Sequence, residues 1–364
     1  MLNVQNYLLN HTLEDLENEL GIVVSKYDDR ITLNYSQINS KKFHPICDEC
    51  RGLILSYPNY EIISRPFDRF YNLNECDTGK DCDIREMTTL SKEDGSLIHV
   101  NYDGENWNIS TRKMAFAEGT TITGITFKDL FLKTLEIPCD YFFDTLSKDL
   151  TYIFELCTPE NRVVKRYPNP VIYLIGIRNK FTGEYHTFEQ MKKVQSNWLQ
   201  SNINLPNKYM FSSFNEIKKS LDELPQLDEG YVLWNEHTGY RIKLKSPSYV
   251  AIHHLRNDGC LSPKNITYLV MNNEYQEYLS IFPEDTEFFM PYIKSHTQLL
   301  QHINDLWRET HNIEDQKEFA LKVKDTSIAS IMFQLRKGLT LDEIFYNMND
   351  KKKVELLENY KTKE

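Results

Sequence analysis

The feature that most narrows what this 364-residue chain can fold into is a change of periodicity near residue 250. From Cys50 to Tyr249 the apolar residues fall in short β-type runs separated by turn residues. Gly52 to Tyr57 and Glu61 to Phe67 flank Pro58-Asn59, and Leu97 to Tyr102 and Trp107 to Thr111 flank Asp103-Gly104, a strong hairpin turn. Val171 to Asn179 and Tyr185 to Thr187 flank Phe181-Thr-Gly183, and Tyr231 to Glu236 and Tyr240 to Lys245 flank Thr238-Gly239. Such hairpins imply an antiparallel sheet. Helical stretches at Thr187 to Gln200 and Ser213 to Leu224, the latter capped by serine and stopped by Pro225, make this part α+β. Beyond about Ile252 the apolar spacing becomes three and four residues, in Ile266 to Tyr278, Phe288 to Trp307, Phe319 to Leu335 and Leu341 to Tyr360. The expectation is an α+β part over 1–254 followed by an all-helical C-terminal domain over 255–364, with Lys351 to Lys363 as a solvated helix end.

Charge and cysteine content exclude several classes of function. A net charge of −11 rules out generic polyanion binding through global charge, so any phosphate-binding surface must be local. Two basic clusters qualify: Arg162, Lys165 and Arg166, and then Arg241, Lys243 and Lys245. Seven cysteines spread from Cys47 to Cys260 point to free thiols in a reducing compartment, and the spacing of Cys76 and Cys82 does not suit a zinc site with Cys47 and Cys50. No apolar run approaches the roughly eighteen residues of a membrane helix, and Met1 to Asn10 lacks the layout of a signal peptide. A cytoplasmic, membrane-free monomer is expected.

Lys92-Glu93-Asp94-Gly95-Ser96 carries the most chemistry. A lysine amine attacks a nucleotide α-phosphate only when neutral, and a free lysine of pKa about 10.4 is neutral in roughly one molecule in 2,500 at pH 7. A site using Lys92 must therefore surround it with cations. In that reading Asp94 helps hold a hydrated metal, Gly95 lets the backbone turn under the nucleotide and Ser96 starts the next strand. The same five residues also suit an ordinary exposed turn, so the choice rests on other segments.

Glu155 interrupts the apolar run Tyr152 to Leu156, where an unpaired carboxylate would be costly, so it should face a cation, a metal shell or a sugar hydroxyl. Glu229-Gly230-Tyr231-Val232 repeats the pattern. Arg241-Ile-Lys-Leu-Lys245 alternates strictly, which puts three cations on one strand face and Ile242 and Leu244 in the core. Upstream, Glu49-Cys-Arg-Gly52 and Ser64 to Asn72 bring arginines next to aromatics, and of the adjacent Phe70 and Tyr71 at most one can face a core.

The order Arg51, Arg69, Lys92, Arg112, Glu155, Glu229, Lys243, Lys245 resembles that of the covalent nucleotidyltransferases, the superfamily of DNA ligases, RNA ligases and mRNA capping enzymes. The closer resemblance is to the RNA ligase 1 group of T-even phages. It rests on Glu49 to Gly52, Ser64 to Pro66, Asn72 to Glu75, Leu90 to Ser96, Thr158 to Val163, Thr182 to Tyr185 and Glu229 to Val232, and spans about 49–254. Arg69 and Arg112 stand where lysine can occur in that family, which keeps the charge and changes the grip on phosphate.

The resemblance implies an antiparallel-sheet adenylyltransferase domain in an ATP-dependent RNA ligase. Lys92 would take AMP from ATP, pass it to an RNA 5′-phosphate, and a 3′-hydroxyl would then displace it. It further implies that Lys243 and Lys245 hold the α-phosphate, with Arg51, Arg69, Gly95, Arg112 and Glu155 completing the nucleotide site. Asp94, Glu155 and Glu229 would face magnesium, or manganese in its place, through water. The helical domain would choose the RNA, such as a broken tRNA whose ends a kinase/phosphatase has healed. A DNA ligase, a capping-type enzyme and a non-catalytic RNA-end-binding protein are the alternatives.

Overall fold

The structure, a computed structural model, describes residues 1–225, 227–250 and 261–360. The chain forms two compact units, Met1–His253 and His254–Glu364, and the expected boundary at 254/255 lies outside the described residues.

Three sheets build the first unit. One is wholly antiparallel and runs β1 (Ile22–Lys26), β2 (Arg30–Tyr35), β3 (Arg51–Ser56), β4 (Ile62–Ser64). A second contains β5 (Tyr71–Asn72), β6 (Thr88–Lys92), β12 (Lys208–Tyr209), β13 (Gly230–Trp234) and β14 (Arg241–Lys245), in the order β12-β6-β13-β14-β5. The third contains β7 (Ser96–Tyr102), β8 (Trp107–Thr111), β9 (Leu150–Cys157), β10 (Val171–Asn179) and β11 (Ile203–Asn204), in the order β11-β10-β9-β7-β8. Two short strands, β5 and β11, join their sheets in parallel, and the other pairings are antiparallel.

The hairpins β3–β4, β7–β8 and β13–β14 form as the turn residues require. The expected partner of β10 does not become a strand. Tyr185 makes one isolated bridge to Arg178, and two residues later Thr187 caps the helix Phe188–Gln195 by accepting from the Gln190 amide. The local capping chemistry ends the extended run before a ladder can form.

Each sheet has its own apolar cluster. Residues Leu2 to Leu16 bring two N-terminal helices onto β1–β3. Ile217 and Leu221 of the helix Phe214–Glu223 pack on Tyr231, Leu233, Ile242 and Leu244, which confirms the alternation in β14. The largest cluster lies on the third sheet, where Phe131, Phe142, Phe154 and Trp198 are all buried and their rings meet at 5.2 to 6.4 Å.

The second unit is helical as expected, with breaks that spacing alone did not reveal. Ile266 to Tyr278 splits into Pro263–Met271 and Tyr275–Ile281 at Asn273, whose φ is +55°. Phe319 to Leu335 splits into Gln316–Val323 and Ala329–Arg336, and Leu341 to Tyr360 into Leu341–Asn347 and Asp350–Glu358. The helix Thr286–Thr310 runs unbroken past Pro291. The expected solvated helix end is corrected by Lys353, which is only 1% exposed with its ammonium 4.7 Å from the Tyr268 ring centre. Lys351 beside it is exposed, and residues 361–364 lie outside the described residues.

Phe142 tests the aromatic cluster. Phe142→Ala should lower stability by about 3–5 kcal/mol, read as a fall in the urea midpoint at unchanged slope, and a loss below about 1 kcal/mol would show that the cluster does not hold the third sheet.

Candidate active site

The turn Glu93–Gly95 carries the chain from the second sheet, at the end of β6, to the third, at the start of β7. A cleft is lined by both sheets. Its lining combines the apolar Leu90, Ile175, Pro206, Val232 and Trp234 with the charged Arg51, Lys92, Glu93, Glu155 and Arg241. Apolar and charged side chains in one cleft suit a flat base joined to phosphates.

Register explains why the charges converge. Gly230 of β13 lies between Lys92 of β6 and Lys245 of β14, so the two lysines share a row and a face. Glu229 accepts from both, at 2.7 Å from Lys92 and 3.2 Å from Lys245. Gly230 has φ +135°, and a Cβ there would lie 2.0 Å from the Leu244 carbonyl oxygen, so only glycine permits the row to close. Burial works to raise the Glu229 carboxyl, but the two ammonium groups outweigh it and hold the carboxyl below its ordinary range.

Glu155 sits opposite, on β9, and accepts from the Gly95 amide at 3.1 Å. Desolvation first and Glu229 second push its carboxyl up to about 7, against the pull of Lys92 and Arg51. Gly95 acts differently from the expected turn. Its missing side chain admits β9, since a Cβ would meet the Leu156 carbonyl oxygen at 2.3 Å and the Cys157 sulfur at 2.7 Å. The Asp94 carboxylate accepts from the Val164 and Lys165 amides at 2.8 and 2.7 Å and from the Tyr249 hydroxyl at 2.9 Å. Its oxygens are thus engaged in holding the loop after β9 and the segment after β14.

The remaining expected cations gather around a residue that sequence reasoning missed. Arg69 and Arg112 lie 3.9 and 4.4 Å from the Tyr35 ring centre, and Phe70 sits between Arg51 at 5.5 Å and Lys243 at 4.8 Å. Phe70 lines the cleft while Tyr71 is buried with its hydroxyl bonded to Asp48, which settles which of the pair faces the core. Arg51, Arg69 and Arg112 each keep a buried guanidinium nitrogen without a hydrogen-bond partner, the mark of a place built for an anion. Burial would raise the Tyr35 phenol, but Arg112, Lys243, Arg51 and Arg69 together draw it down to about 8. Tyr35 lies in a region without a short motif, so only the pairing of β2 with β3 brings it here.

Among the described residues no group of three or more His, Cys, Asp or Glu side chains converges to hold a metal directly. The described cysteines are free, and Cys47 and Cys50 are buried in the N-terminal apolar cluster.

A sequence model of the T4-type RNA ligase family matches residues 49–249, more than half of the chain. The chain belongs to this family. Over 99% of its length it is 28% identical to a protein of Autographa californica nuclear polyhedrosis virus named as a bifunctional polynucleotide kinase/RNA ligase, and it spans 53% of that relative. It is 24% identical to an RNA ligase of Rhodothermus phage RM378, over 88% of this chain and 89% of that one. An archaeal ATP-dependent RNA ligase aligns in structure over 89% of this chain and 77% of its own, with a TM-score of 0.47 at 15% identity. The family match begins at residue 49, so Tyr35 falls outside the stretch that marks this chain as an RNA ligase family member.

Two titrations follow. In nucleotide- and metal-free protein, the Glu155 carboxyl titrates at about 7 when folded and near its ordinary 4.5 when unfolded, so between these values the folded state binds the extra proton. The contribution is therefore most favourable below about 4.5 and is lost as pH rises to about 7. Glu155→Gln should remove it, gaining about 2 kcal/mol on wild type between pH 4.5 and pH 8 by urea denaturation, less than the full shift because the cleft admits water. A pH-independent difference between the two proteins would overturn this. Spectrophotometric titration should also find one tyrosine ionising near pH 8, absent in Tyr35→Phe and moved upward by tripolyphosphate, and a Tyr35→Phe trace equal to wild type would refute the assignment.

Proposed function

We propose that this chain is an ATP-dependent RNA ligase that joins 5′-phosphate and 3′-hydroxyl ends through a lysyl-AMP intermediate. The observation that carries the reading is the row of Lys92 and Lys245 on one face of a sheet, sharing Glu229, with Lys92 itself lining the cleft between two sheets. Membership of the RNA ligase family supports the RNA substrate.

In this reading the base occupies the slot between Ile175 and Val232, and the α-phosphate lies at the Lys92 end with Lys243 and Lys245 as its counterions. Arg51, Arg69 and Arg112 take the β- and γ-phosphates, using the guanidinium nitrogens that lack protein partners. The Lys92 amine donates to Glu229 at 2.7 Å, and attack requires that it first pass a proton to solvent. The nitrogen then bonds to the α-phosphorus while the bond to the pyrophosphate oxygen breaks, in line with the attack. The RNA 5′-phosphate next displaces Lys92 from AMP, and the 3′-hydroxyl displaces AMP from the RNA.

Glu155 fits a cation, because it is a carboxyl pushed up by poor solvation and takes only one protein hydrogen bond among the described contacts. Magnesium, or manganese in its place, would offset negative charge on the transferring phosphate, with Glu155 and Glu229 facing its water shell. Asp94 would reach that shell only through water, since it already accepts three protein hydrogen bonds. The first relative's name includes a polynucleotide kinase, which fits pairing of this activity with end healing, and a broken tRNA is the proposed substrate. The helical unit would select that RNA.

With α-labelled ATP and magnesium, wild type should retain label after denaturation and Lys92→Ala should retain less than about 1% of it. Lys92→Ala should still seal pre-adenylylated RNA, which bypasses attachment. Equal labelling of the two proteins would remove Lys92 as nucleophile, and absence of label on wild type would remove the ligase reading, leaving an RNA-end-binding protein. Faster sealing of DNA than of RNA 3′-ends would assign the chemistry to DNA instead.

A further inference from the structure

The basic cluster Arg162, Lys165 and Arg166 has no part in the nucleotide site described above. It lies in the loop between β9 and β10, and five side chains fasten that loop to the turn that bears the nucleophile. Asn161 donates to the Ser96 hydroxyl at 2.9 Å and to the Leu156 carbonyl at 2.7 Å. The Val164 and Lys165 amides donate to Asp94 at 2.8 and 2.7 Å. The Tyr167 hydroxyl donates to Glu93 at 3.0 Å and accepts from the Asp94 amide at 3.0 Å. Every residue of the turn from Glu93 to Ser96 except Gly95 therefore holds a piece of this loop.

Anchors at Asn161 and Val164 force the two residues between them outward. Arg162 and Val163 are exposed, as is Arg166 on the far side of the Lys165 anchor. The Arg162 Nε donates to the Val164 carbonyl at 3.1 Å, which fixes the stem of the side chain and leaves its terminal nitrogens facing out. Local acids do not neutralise the pair. Asp228 is taken by Lys165 at 2.8 Å, and Glu160 is directed to Lys133 at 3.9 Å. Arg162 and Arg166 have no carboxylate partner among the described residues.

We infer that Arg162 and Arg166 form a rigid strap that binds the phosphodiester backbone of the RNA strand whose 5′ end is to receive AMP. One guanidinium tied to the backbone and a second exposed on the same fastened loop, in a chain of net charge −11, make a local anion site, and bidentate pairing with phosphate oxygens is what arginine does best. The strap is tied directly to the Lys92 turn, so a strand lying on it has its end at the nucleophile. The ligand is placed by backbone contacts, which bring no base preference. This inference rests on the RNA ligase reading for its purpose, and its test separates the two.

The test compares wild type with R162A/R166A and R162K/R166K by anisotropy of a 5′-phosphorylated single-stranded RNA 12-mer over a salt series, without ATP. R162A/R166A should bind about tenfold more weakly, with the slope of log K against log salt shallower by about 1.4, the loss of two phosphate contacts. R162K/R166K should recover the slope while remaining weaker than wild type, because lysine keeps the charge and loses the fork. Labelling of Lys92 by ATP should stay within about twofold of wild type in both variants. Unchanged affinity and slope in R162A/R166A would overturn the strap, as would a loss of Lys92 labelling as large as the loss of RNA binding. If wild type takes no label but shows the RNA-binding differences, the strap stands and the ligase reading falls. Should the double variant fail to fold, R166A alone should lose about half of the slope change, and an unaltered slope there counts against the strap.

Discussion

A carboxylate placed like that of Glu229, with its side chain 5% exposed, persists as an ion only because Lys92 and Lys245 approach it from two sides. That arrangement in turn requires three adjacent strands in one register, with glycine at the centre because the Leu244 carbonyl occupies the space of a side chain. A slip of one residue would turn both lysines to the apolar face, against Ile217 and Leu221. The hydrophobic pattern of β14 therefore guards the charge geometry as much as the fold. Removal of either lysine would leave the buried carboxylate with half its compensation, so loss of activity in such variants has to be separated from loss of the sheet.

The contrast between Glu229 and Glu155 shows how similar residues acquire different chemistry. Both interrupt apolar strand runs, and both lie close to Lys92. Glu229 has two ammonium partners at hydrogen-bonding distance and is held as a carboxylate, whereas Glu155 has a backbone amide and is drawn toward neutrality. One is already satisfied by the protein. The other has one backbone amide as its partner.

Much of this was legible in the amino-acid sequence where the physics is local. Asp103-Gly104 and Thr238-Gly239 set their hairpins, Ser213 and Thr187 cap their helices, and the alternation from Arg241 to Lys245 places the basic face correctly. The chain order of Arg51, Lys92, Glu155, Glu229 and Lys245 also announced a shared site. Legibility failed where a long-range approach decides the outcome. Tyr35 enters the site through strand pairing, Gly95 is dictated by the backbone of β9, and Asp94 is turned toward a loop about seventy residues away in sequence. In the helical unit the apolar spacing continued across Asn273, whose left-handed backbone ends the helix, and nothing in a run of three lysines marked Lys353 as the buried one.

The passage from β6 to β7 has a mechanical consequence. Two links of three residues each, Leu205 to Asn207 and Glu93 to Gly95, join two sheets whose facing surfaces make the cleft, and in the second link Gly95 is pressed on the backbone of β9. Such a short tether has no slack. If the sheets part, Lys92 at one end and Glu155 beside the other must shift relative to each other, so the width of the cleft and the reach of the Lys92 amine behave as a single coordinate. The molecule is in this respect a caliper, its gap and its lysine tip set by the same screw.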